Sequence, residues 1–382
     1  MEIKIHSRID EIAPGEWNAL VRDNNPLVRH EFLNAMEQHG CVGEQFGWLP
    51  CHIGVYEAGV LQAAMPLYEK YNSYGEFVFD NAWADAYHRS GLQYFPKLVS
   101  AVPYTPASGQ RLLAAPERSA ALFPVLLQAV LKLGEQVGSS SFHCLFPSSD
   151  GFDFLAGQGL LTRHDVQFHW PNRDYADFDQ FLASLVAKKR KNIRQERRRV
   201  AEAGVTLRRL NGHTASEQDW QKFTHFYNKT FQEKWGMATF NAGFFRQVAE
   251  QLPNQVLLVL ADFQGDCVAG SLMFQSDTTL YGRHWGADLR LDGLHFETCY
   301  YQGIEHCIEQ GLNCFEPGAQ GEHKLSRGFV PTLTRSSHWI WDEGFREPIA
   351  RYTEHEQAAI ANYLQQLQPS IPYRSTSCKE TG

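Results

Sequence analysis

The chain lacks the short motifs that mark several large enzyme classes. It has no G-x-S-x-G nucleophile elbow, no G-x-x-x-x-G-K-[ST] phosphate loop and no H-E-x-x-H metal motif. Its eight cysteines form no C-x-x-C pair, and no histidine stands beside them at the spacing of a zinc site. These absences argue against a hydrolase, an NTPase and a metalloprotease. We expect reduced thiols and no bound metal.

Long apolar runs and an excess of positive charge are missing too. No run of 18 apolar residues occurs, and the start, "MEIKIHSRIDEIAPGEW", has no apolar segment typical of an export signal. The net charge of -8 argues against a protein coated for nucleic acid or anionic membrane, although a local patch can still be basic. We therefore predict a cytoplasmic protein without membrane insertion.

The composition that is present is that of a large folded protein. Hydrophobic residues make up 43% of the 382 residues and aromatic residues 13%. A chain of this length exceeds the size at which a single hydrophobic core stops growing, so two domains are expected.

The second half of the sequence repeats the element order of the first half. Each half is predicted as helix, helix, strand, strand, strand, helix, strand, with the first two strands forming a hairpin near Ala58-Gly59 and near Gly265-Asp266. The third strand and its exit loop are predicted in "YGEFVFDNAWADAY" and in "TLYGRHWGADLR". The predicted fold class is α+β, a tandem duplication in which each domain has a mixed, mostly antiparallel sheet flanked by helices. The predicted domains are residues 1–165 and 166–382, the second containing a basic helical segment, 176–203, and a C-terminal helix.

The basic segment between the halves has two interpretations. Eight of the twelve residues from 188 to 199 are Lys or Arg, and Gly204 is a plausible end of the helix. The segment is either a solvated face or a helix that binds the phosphates of a nucleotide-bearing donor or tRNA. Under the second interpretation Lys189, Arg190 and Arg194 contact the donor phosphates.

Six segments together resemble a known family. They are "AWADAY", "YFPKLVSAVPYTPASGQRLL", "KKRKNIRQERRRVAEAGV", "FYNKTFQEKWG", "GRHWGAD" and "FEPGAQGEHKLSRGFVPTLTRSSHW", and they span residues 82–339. As a set they resemble the FemAB-like branch of the GNAT acyltransferases, relatives of the Fem-type enzymes that build peptidoglycan cross-bridges. The resemblance implies two GNAT-like domains and transfer of an acyl or aminoacyl group to an amine.

One departure from the GNAT pattern concerns the donor. GNAT enzymes that use acetyl-CoA carry a glycine-rich pyrophosphate loop after the third strand, but "LRLDGLHFETCYYQG" offers one glycine, Gly293, and no G-x-G. Acyl-CoA therefore stays one expected donor, and aminoacyl-tRNA, the donor of the resembling Fem enzymes, is the other.

Four residues are candidates for the chemistry. His284 breaks the third strand of the second half, beside the gap where a GNAT sheet opens, and is a candidate base or a core histidine. Glu316 ends the next strand and would orient an amine, act as a base or cap the loop. His323 and Lys324 follow; by resemblance, Lys324 contacts a donor or acceptor phosphate, and a solvated lysine is the alternative.

Seven further residues are candidates for substrate binding. Glu297 and Tyr301 lie four apart at the start of the helix after the third strand, so they would share one face. By resemblance the acceptor lies between the two halves, where Trp83, Asp85 and Tyr87 would suit a cationic or sugar-bearing ligand, unless they form a packed strand end. Two more residues are assigned to the same side, Arg111 as a bidentate clamp and Trp235 as a wall or a helix-end core residue.

The sequence thus predicts an N-acyltransferase with an amine acceptor and no metal. Two alternatives stay open. The first is a Fem-type, peptidoglycan-related transferase that uses aminoacyl-tRNA. The second is a non-catalytic ligand-binding module on a degenerate GNAT fold.

Overall fold

The structure, a computed structural model, describes residues 1–234, 236–319 and 321–374. The chain forms two compact units that are each assembled from separate segments. Unit 1 comprises Met1–Asp165, Met237–Gln255 and Leu333–Asn362, and unit 2 comprises Val166–Gly236, Val256–Thr332 and Tyr363–Gly382. The predicted domain boundary and the first boundary between the two units both fall between Asp165 and Val166. The units differ from the prediction in the two later segments of unit 1.

The strands are β1 Glu2–His6, β2 Trp48–Pro50, β3 His52–Glu57, β4 Val60–Met65, β5 Tyr68–Lys70, β6 Lys97–Ser100, β7 Leu113–Ala114, β8 Ser141–Leu145, β9 Leu161–Pro171, β10 Thr206–Leu210, β11 Val256–Phe263, β12 Asp266–Gln275, β13 Thr279–Ala287, β14 Cys314–Glu316 and β15 Val330–Ile340. The α-helices are α1 Pro14–Asn18, α2 His30–Gln38, α3 Asn81–Arg89, α4 Ser119–Val137, α5 Ser149–Gly157, α6 Phe178–Ser184, α7 Ala187–Glu202, α8 Glu217–Glu233, α9 Ala242–Gln251, α10 Leu294–Phe296, α11 Gln302–Gln310 and α12 Glu343–Leu367. A π-helical turn, Glu297–Tyr301, joins α10 to α11.

Unit 1 contains two sheets. One has the strand order β1-β3-β4-β7 and is antiparallel. In the other, β2 pairs with β5, β5 with β6, β6 with β8, and β8 with the last residues of β15; only β6 and β8 are parallel. Helix α4 packs its apolar stripe, which includes Leu122, Leu126 and Val130, into the core of this unit. The helical segment formed by residues 116–137 is long enough and apolar enough to cross a membrane, by length and composition alone.

Unit 2 is built on one mixed sheet. Its strand order is β10-β11-β12-β13-β14, followed by the last residues of β9, and β13 and β14 form its one parallel pair among the described strands. Trp170, Phe181, Tyr301, Phe315 and Phe329 are fully buried in its core. Mixed sheets flanked by helices confirm the predicted α+β class, while the internal duplication stays a prediction.

The predicted hairpins are confirmed, and one predicted strand is wrong. Ala58 and Gly59, with positive φ, turn β3 into β4, as Gln264 and Gly265 turn β11 into β12. The segment 74–87, however, forms no strand and contains most of α3. Alternation of aromatic and polar residues misled the prediction, because Trp83 and Tyr87 are buried four residues apart, a helical spacing.

A glycine sets the distance between α8 and the sheet of unit 2. Helix α8 begins with a capping box in which Ser216 and Asp219 bond each other's backbone N–H groups. Farther along, the backbone of α8 lies against β13 at Gly286, where a Cβ would stand 2.1 Å from the carbonyl oxygen of Phe226. Only glycine allows this approach, which holds the middle of α8 against the C-terminal end of β13.

Candidate active site

The sheet of unit 2 opens between two neighbouring strands. Strands β13 and β14 pair over three positions only, ending at Tyr281 opposite Glu316. Strand β14 stops there, while β13 continues to Ala287 through a bulge at Arg283 in its pairing with β12. Bulges redirect side chains and are common beside active sites. A gap therefore forms beside β13, as the resemblance to GNAT enzymes implied.

A cavity of about 510 Å³ occupies this gap. Its walls come from α8, from β12 and β13, from the turns around the π-helix, and from the loop after β14. The lining residues are Tyr227, Thr230, Phe231, Lys234, Ser271, Gly282, Arg283, His284, Trp285, His295, Cys299, Tyr300, Pro317, Ala319, Gly321, His323 and Lys324.

Two helical segments supply side chains to the cavity at regular spacing. Tyr227 and Phe231 lie four residues apart on one face of α8, and Lys234, the C-cap residue directly after the helix, follows three residues later. His295 and Tyr300 lie five residues apart across the π-helical turn, and both line the cavity with their rings 5.3 Å apart. The two residues thus flank the start of the π-helical turn, a feature that occurs often at functional sites.

Lys324 is the most unusual group in the cavity. Its side chain is 2% exposed, and its Nζ donates to the carbonyl oxygens of Gly318, at 2.7 Å, and Ala319, at 3.4 Å. No carboxylate pairs with it among the described residues. Burial lowers the pKa of Lys324 to about 8, so the group is still mostly charged at neutral pH. In unit 1 the equally buried Lys97 pairs with two carboxylates, Glu76 and Asp80.

Three histidines line the cavity and all favour the neutral form. Burial lowers the pKa of His284 well below its usual range, and the positive charge of Arg283 adds to the effect. Burial also lowers the pKa of His295 to about 4 and, less strongly, that of His323. The Nε2 atom of His323 is hydrogen-bonded to the Tyr300 hydroxyl at 3.0 Å, which orients the imidazole. A neutral imidazole has one nitrogen that accepts a proton, as a base must.

The cavity is positively charged overall. Lys234, Arg283 and Lys324 line it together with the histidines, and no carboxylate stands among the lining residues of the part of the chain that the structure describes. A groove of about 580 Å³ shares Lys234 and Trp285 with the cavity and reaches Gly293, which precedes α10. The segment that stands where GNAT enzymes have the pyrophosphate loop, and that lacks a G-x-G, thus borders this groove.

The predicted chemical residues are brought together in part. His284, His323 and Lys324 line the cavity, whereas Glu316 ends β14, is 9% exposed and is not among the lining residues. Burial lowers the pKa of Arg283 to about 10, and the nearby Tyr227 and Glu316 oppose this shift. Whether these residues carry out the reaction stays a prediction.

The predicted cleft-facing role of Glu297 and Tyr301 is wrong. Glu297 is buried and accepts from Arg197 Nε at 3.1 Å, while the Tyr301 hydroxyl donates to Glu196. Both side chains face α7 instead of the cavity. The prediction assumed α-helical spacing from Glu297 on, but the π-helical turn changes which residues face the gap, so that Tyr300 lies there instead.

The predicted ligand cluster in unit 1 does not form. Trp83 and Tyr87 are buried on one face of α3, and Asp85 is exposed on another. Residues two apart in sequence share one face of a strand but not of a helix, so Asp85 does not join Trp83 and Tyr87.

Arg111 is fully buried and donates to the backbone carbonyls of Leu145, Gln110 and Ala107 at 2.7–2.9 Å. These bonds fix the loop conformation, in place of the predicted carboxylate or phosphate clamp. Trp235 lies outside the described residues.

The basic helix α7 is partly neutralised. Arg197 pairs with Glu297 and Glu305, and Arg199 with Asp292. Of the predicted phosphate ligands, Lys189 donates to Ser326, Arg194 pairs with the exposed Asp179, and Arg190 has no ion pair among the described residues. Lys188 and Lys191 are exposed beside Arg190 and likewise have no ion pair there. Positive charge without a partner is therefore concentrated at the N-terminal end of α7.

Sequence reasoning missed the lining residues on α8 and around the π-helix. The stripe of Tyr227, Phe231 and Lys234 was present as a helical periodicity and was detectable. Arg283 and the pair of His295 and Tyr300 were not, because a bulge and a π-helical turn decide their direction, and neither has a sequence signal.

The mixed sheet of unit 2, opened between two parallel strands around a polar cavity, defines a GNAT-like fold. The chain belongs to the FemAB_like family, described as peptidoglycan biosynthesis/recognition, whose model matches residues 8–375. No curated protein matches the sequence significantly.

Three solved structures share the fold at low sequence identity. FemX superposes with a TM-score of 0.55 and 12% identity, covering 92% of this chain and 100% of FemX. A C-terminal DUF2156 domain from Agrobacterium fabrum gives 0.54 and 9%, covering 91% and 96%. L-PGS from Bacillus licheniformis gives 0.50 and 10%, covering 90% and 97%. Likeness at this identity shows the fold alone.

Proposed function

We propose that this protein transfers an acyl or aminoacyl group to an amine, and that the cavity of unit 2 is where the transfer takes place. Membership in the FemAB_like family and the fold it shares with FemX support a transferase. The observation that carries the proposal is the set of positive groups around the gap between β13 and β14, with the buried Lys324 among them.

The charge of the cavity suits the chemistry of amine acylation. An amine must lose its proton before it attacks a carbonyl, and a lysine-like amine is mostly protonated at neutral pH. Nearby positive charges disfavour the ammonium form, so Lys234, Arg283 and Lys324 lower the pKa of an amine bound among them. The same charges attract a donor or acceptor that carries a carboxylate or phosphate next to the reacting group.

Two lining residues have the geometry for roles in the transfer. His323, neutral and oriented by Tyr300, is the lining histidine whose burial is least complete, so we assign it the removal of the proton from the attacking amine. Lys324 has three N–H bonds, of which two point to the carbonyls of Gly318 and Ala319. The third is available to the oxygen on which negative charge develops.

The donor is either an acyl-CoA or a charged tRNA, and one observation favours tRNA. Lys188, Arg190 and Lys191 present positive charge without ion pairs among the described residues, on a surface of a protein whose net charge is -8. Such a patch is expected for phosphate backbone contacts. For acyl-CoA, the groove at Gly293 offers the alternative location. Cytoplasmic placement and a peptidoglycan-related acceptor belong to this proposal as well.

A thermal-shift experiment tests the donor. Purified protein is heated with acetyl-CoA, longer acyl-CoAs, free CoA and total tRNA at two salt concentrations, because a ligand of the native state raises the midpoint. Stabilisation by tRNA that weakens at high salt, and that is lost in a Lys188→Ala, Arg190→Ala, Lys191→Ala variant, supports tRNA. Stabilisation by acyl-CoA but not by tRNA identifies acyl-CoA as the donor and the groove at Gly293 as its binding site.

The catalytic assignment is tested on the cavity itself. A variant with His323→Asn and Lys324→Met, matched with the control Lys132→Gln at an exposed position of α4 in unit 1, is assayed for transfer to an amine. The double variant is expected to lose transfer by at least a hundredfold, the range for loss of a positioned base and an oxyanion donor. Full turnover in the double variant would contradict the assignment, and binding without turnover in the unmodified protein would favour a non-catalytic ligand-binding module.

A further inference from the structure

Strand β1 forms an open edge of the four-stranded sheet in unit 1. It stands at one end of the order β1-β3-β4-β7, and β3 is its single partner among the described strands. All five of its residues, Glu2–His6, pair with β3 without a register shift, so the edge is regular over its whole length. An edge strand presents a row of backbone N–H and C=O groups on its outer side, and these groups can pair with a further strand.

The other three end strands in the described sheets have features that discourage such pairing. Strand β2 is three residues long and contains Pro50, which has no N–H to donate. Strand β7 has two residues, and both are buried. Strand β10 has two positive charges in succession, Arg208 and Arg209. Short length, proline and charge of one sign protect sheet edges, and β1 has none of these three features.

One face of β1 is apolar and only partly covered. Ile3 and Ile5 stand opposite fully buried core residues of β3, on the side of the sheet against which α4 packs. Ile3 is nevertheless 46% exposed and Ile5 43% exposed. The core-facing side of the sheet thus ends in two isoleucines, and a further strand beside β1 would remove more of their surface from water.

The other face of β1 has charges whose order is complementary to itself. Glu2 and Lys4 lie 3.4 Å apart, and their side chains are 62% and 47% exposed. If two β1 strands pair antiparallel with Ile3 at the centre, Glu2 of each copy faces Lys4 of the other. The same register places Ile3 opposite Ile3 and Met1 opposite Ile5. Facing opposite charges and facing apolar side chains both stabilise a strand pair.

The neighbouring register is disfavoured by the same charges. A change of register has to keep the apolar residues of both strands on one face. The next register that does so is centred on Lys4 and places the two Lys4 ammonium groups opposite each other, which destabilises a strand pair. The charges therefore select the register centred on Ile3. This arrangement has a two-fold axis, so it closes at two copies.

We propose that the protein forms a symmetric homodimer in which the β1 strands of two copies pair antiparallel. The pairing joins the two four-stranded sheets into one continuous sheet. It uses unit 1, and no residue of β1 lines the cavity of unit 2, so the dimer does not depend on the proposed transfer reaction. A pair of five-residue strands is a small interface, so the dimer dissociates at low protein concentration.

Sedimentation velocity of the full chain, purified without an N-terminal tag, tests the dimer at protein concentrations from about 1 to 200 µM. Lys4→Glu leaves an acid at both charged positions of the strand, and Glu2→Lys leaves a lysine at both, so either change makes like charges face each other. A variant with both substitutions exchanges the two charges and keeps them complementary. Glu250→Lys, at an exposed position of α9, is the control. The thermal midpoint of each variant shows that it is folded.

We expect the unmodified protein, the control and the double variant to form dimers as the concentration rises. Each single variant should dimerise roughly tenfold more weakly or worse. An equimolar mixture of the two single variants should recover the dimer, because the acids of one strand then face the lysines of the other. Damage to the fold by either substitution would not be reversed by mixing.

Three results would overturn the proposal. The first is an unmodified protein that stays monomeric at the highest concentration, which would leave a strand of another protein as the occupant of the edge. The second is a dimer that both single variants form as readily as the unmodified protein, since another surface would then hold it together. The third is a mixture of the single variants that stays monomeric although the unmodified protein dimerises.

Discussion

Replacing Lys324 with Met should remove the contribution of this buried group to the pH dependence of the free energy of unfolding. Lys324 is buried, and its pKa falls from 10.5 to about 8 in the native state. Between these two values the unfolded chain binds more protons at this position than the native protein does. Stability therefore rises with pH across this window, and the penalty for the buried charge is fully present below pH 8.

The size of the effect follows from the shift. Each pKa unit corresponds to about 1.36 kcal/mol, so the buried charge costs about 3 kcal/mol at pH 7. At pH 9.5 the native group is mostly neutral, and the cost falls to roughly 1.4 kcal/mol. Lys324→Met has no such group, and the lost bonds to Gly318 and Ala319 change its stability equally at both pH values. The unmodified protein should thus gain about 2 kcal/mol relative to the variant between pH 7 and 9.5.

Urea unfolding of both proteins at the two pH values measures this difference. All other titrating groups are common to the pair, so their contributions cancel. Lys234→Met is the matched control, because Lys234 lines the same cavity but is exposed. A difference that stays constant between pH 7 and 9.5 would refute the argument that Lys324 is a buried cation without a carboxylate partner.

Two further predictions concern the stability of the folded protein. Lys97→Met should destabilise unit 1 by about 3–5 kcal/mol, because it leaves the two buried carboxylates that pair with Lys97 without their cation; chemical denaturation checks this, and a loss below 1 kcal/mol would contradict it. Gly286→Ala should cost at least about 1–3 kcal/mol and impair transfer, since the new Cβ would press on the carbonyl of Phe226. Gly157→Ala, where a Cβ meets nothing within 4 Å, is the control, and equal thermal midpoints for the two alanine variants would count against the close approach of α8 and β13.

The sequence predicted the elements whose signals are local. The hairpins marked by Gly59 and Gly265 lie where the pattern placed them, and the basic helix α7 ends just before Gly204, as predicted. Turn chemistry is local, so a single sequence displays it. The gap beside β13 and the placement of His284, His323 and Lys324 near it were expectations from the resemblance to GNAT and Fem enzymes, and these three residues line the cavity.

Other features depend on tertiary context and were not predictable. At the π-helical turn, Tyr300 lines the cavity and Tyr301 bonds Glu196 on α7, so the predicted cavity-facing side of that helix was wrong. Trp83 was placed on a strand because aromatic and polar residues alternate there, although its burial with Tyr87 follows a helix. The guanidinium of Arg111 is buried and donates hydrogen bonds to backbone carbonyls, and no sequence motif indicates this role.

Mass-spectrometric detection of an acylated amine tests the central claim most directly. The protein is incubated with isotope-labelled aminoacyl-tRNAs or acyl-CoAs and a mixture of amino acids and short peptides as acceptors. We predict a labelled amide product that forms with the unmodified protein and falls at least a hundredfold in the variant with His323→Asn and Lys324→Met. Equal product with both proteins would contradict the assignment of the reaction to the cavity of unit 2.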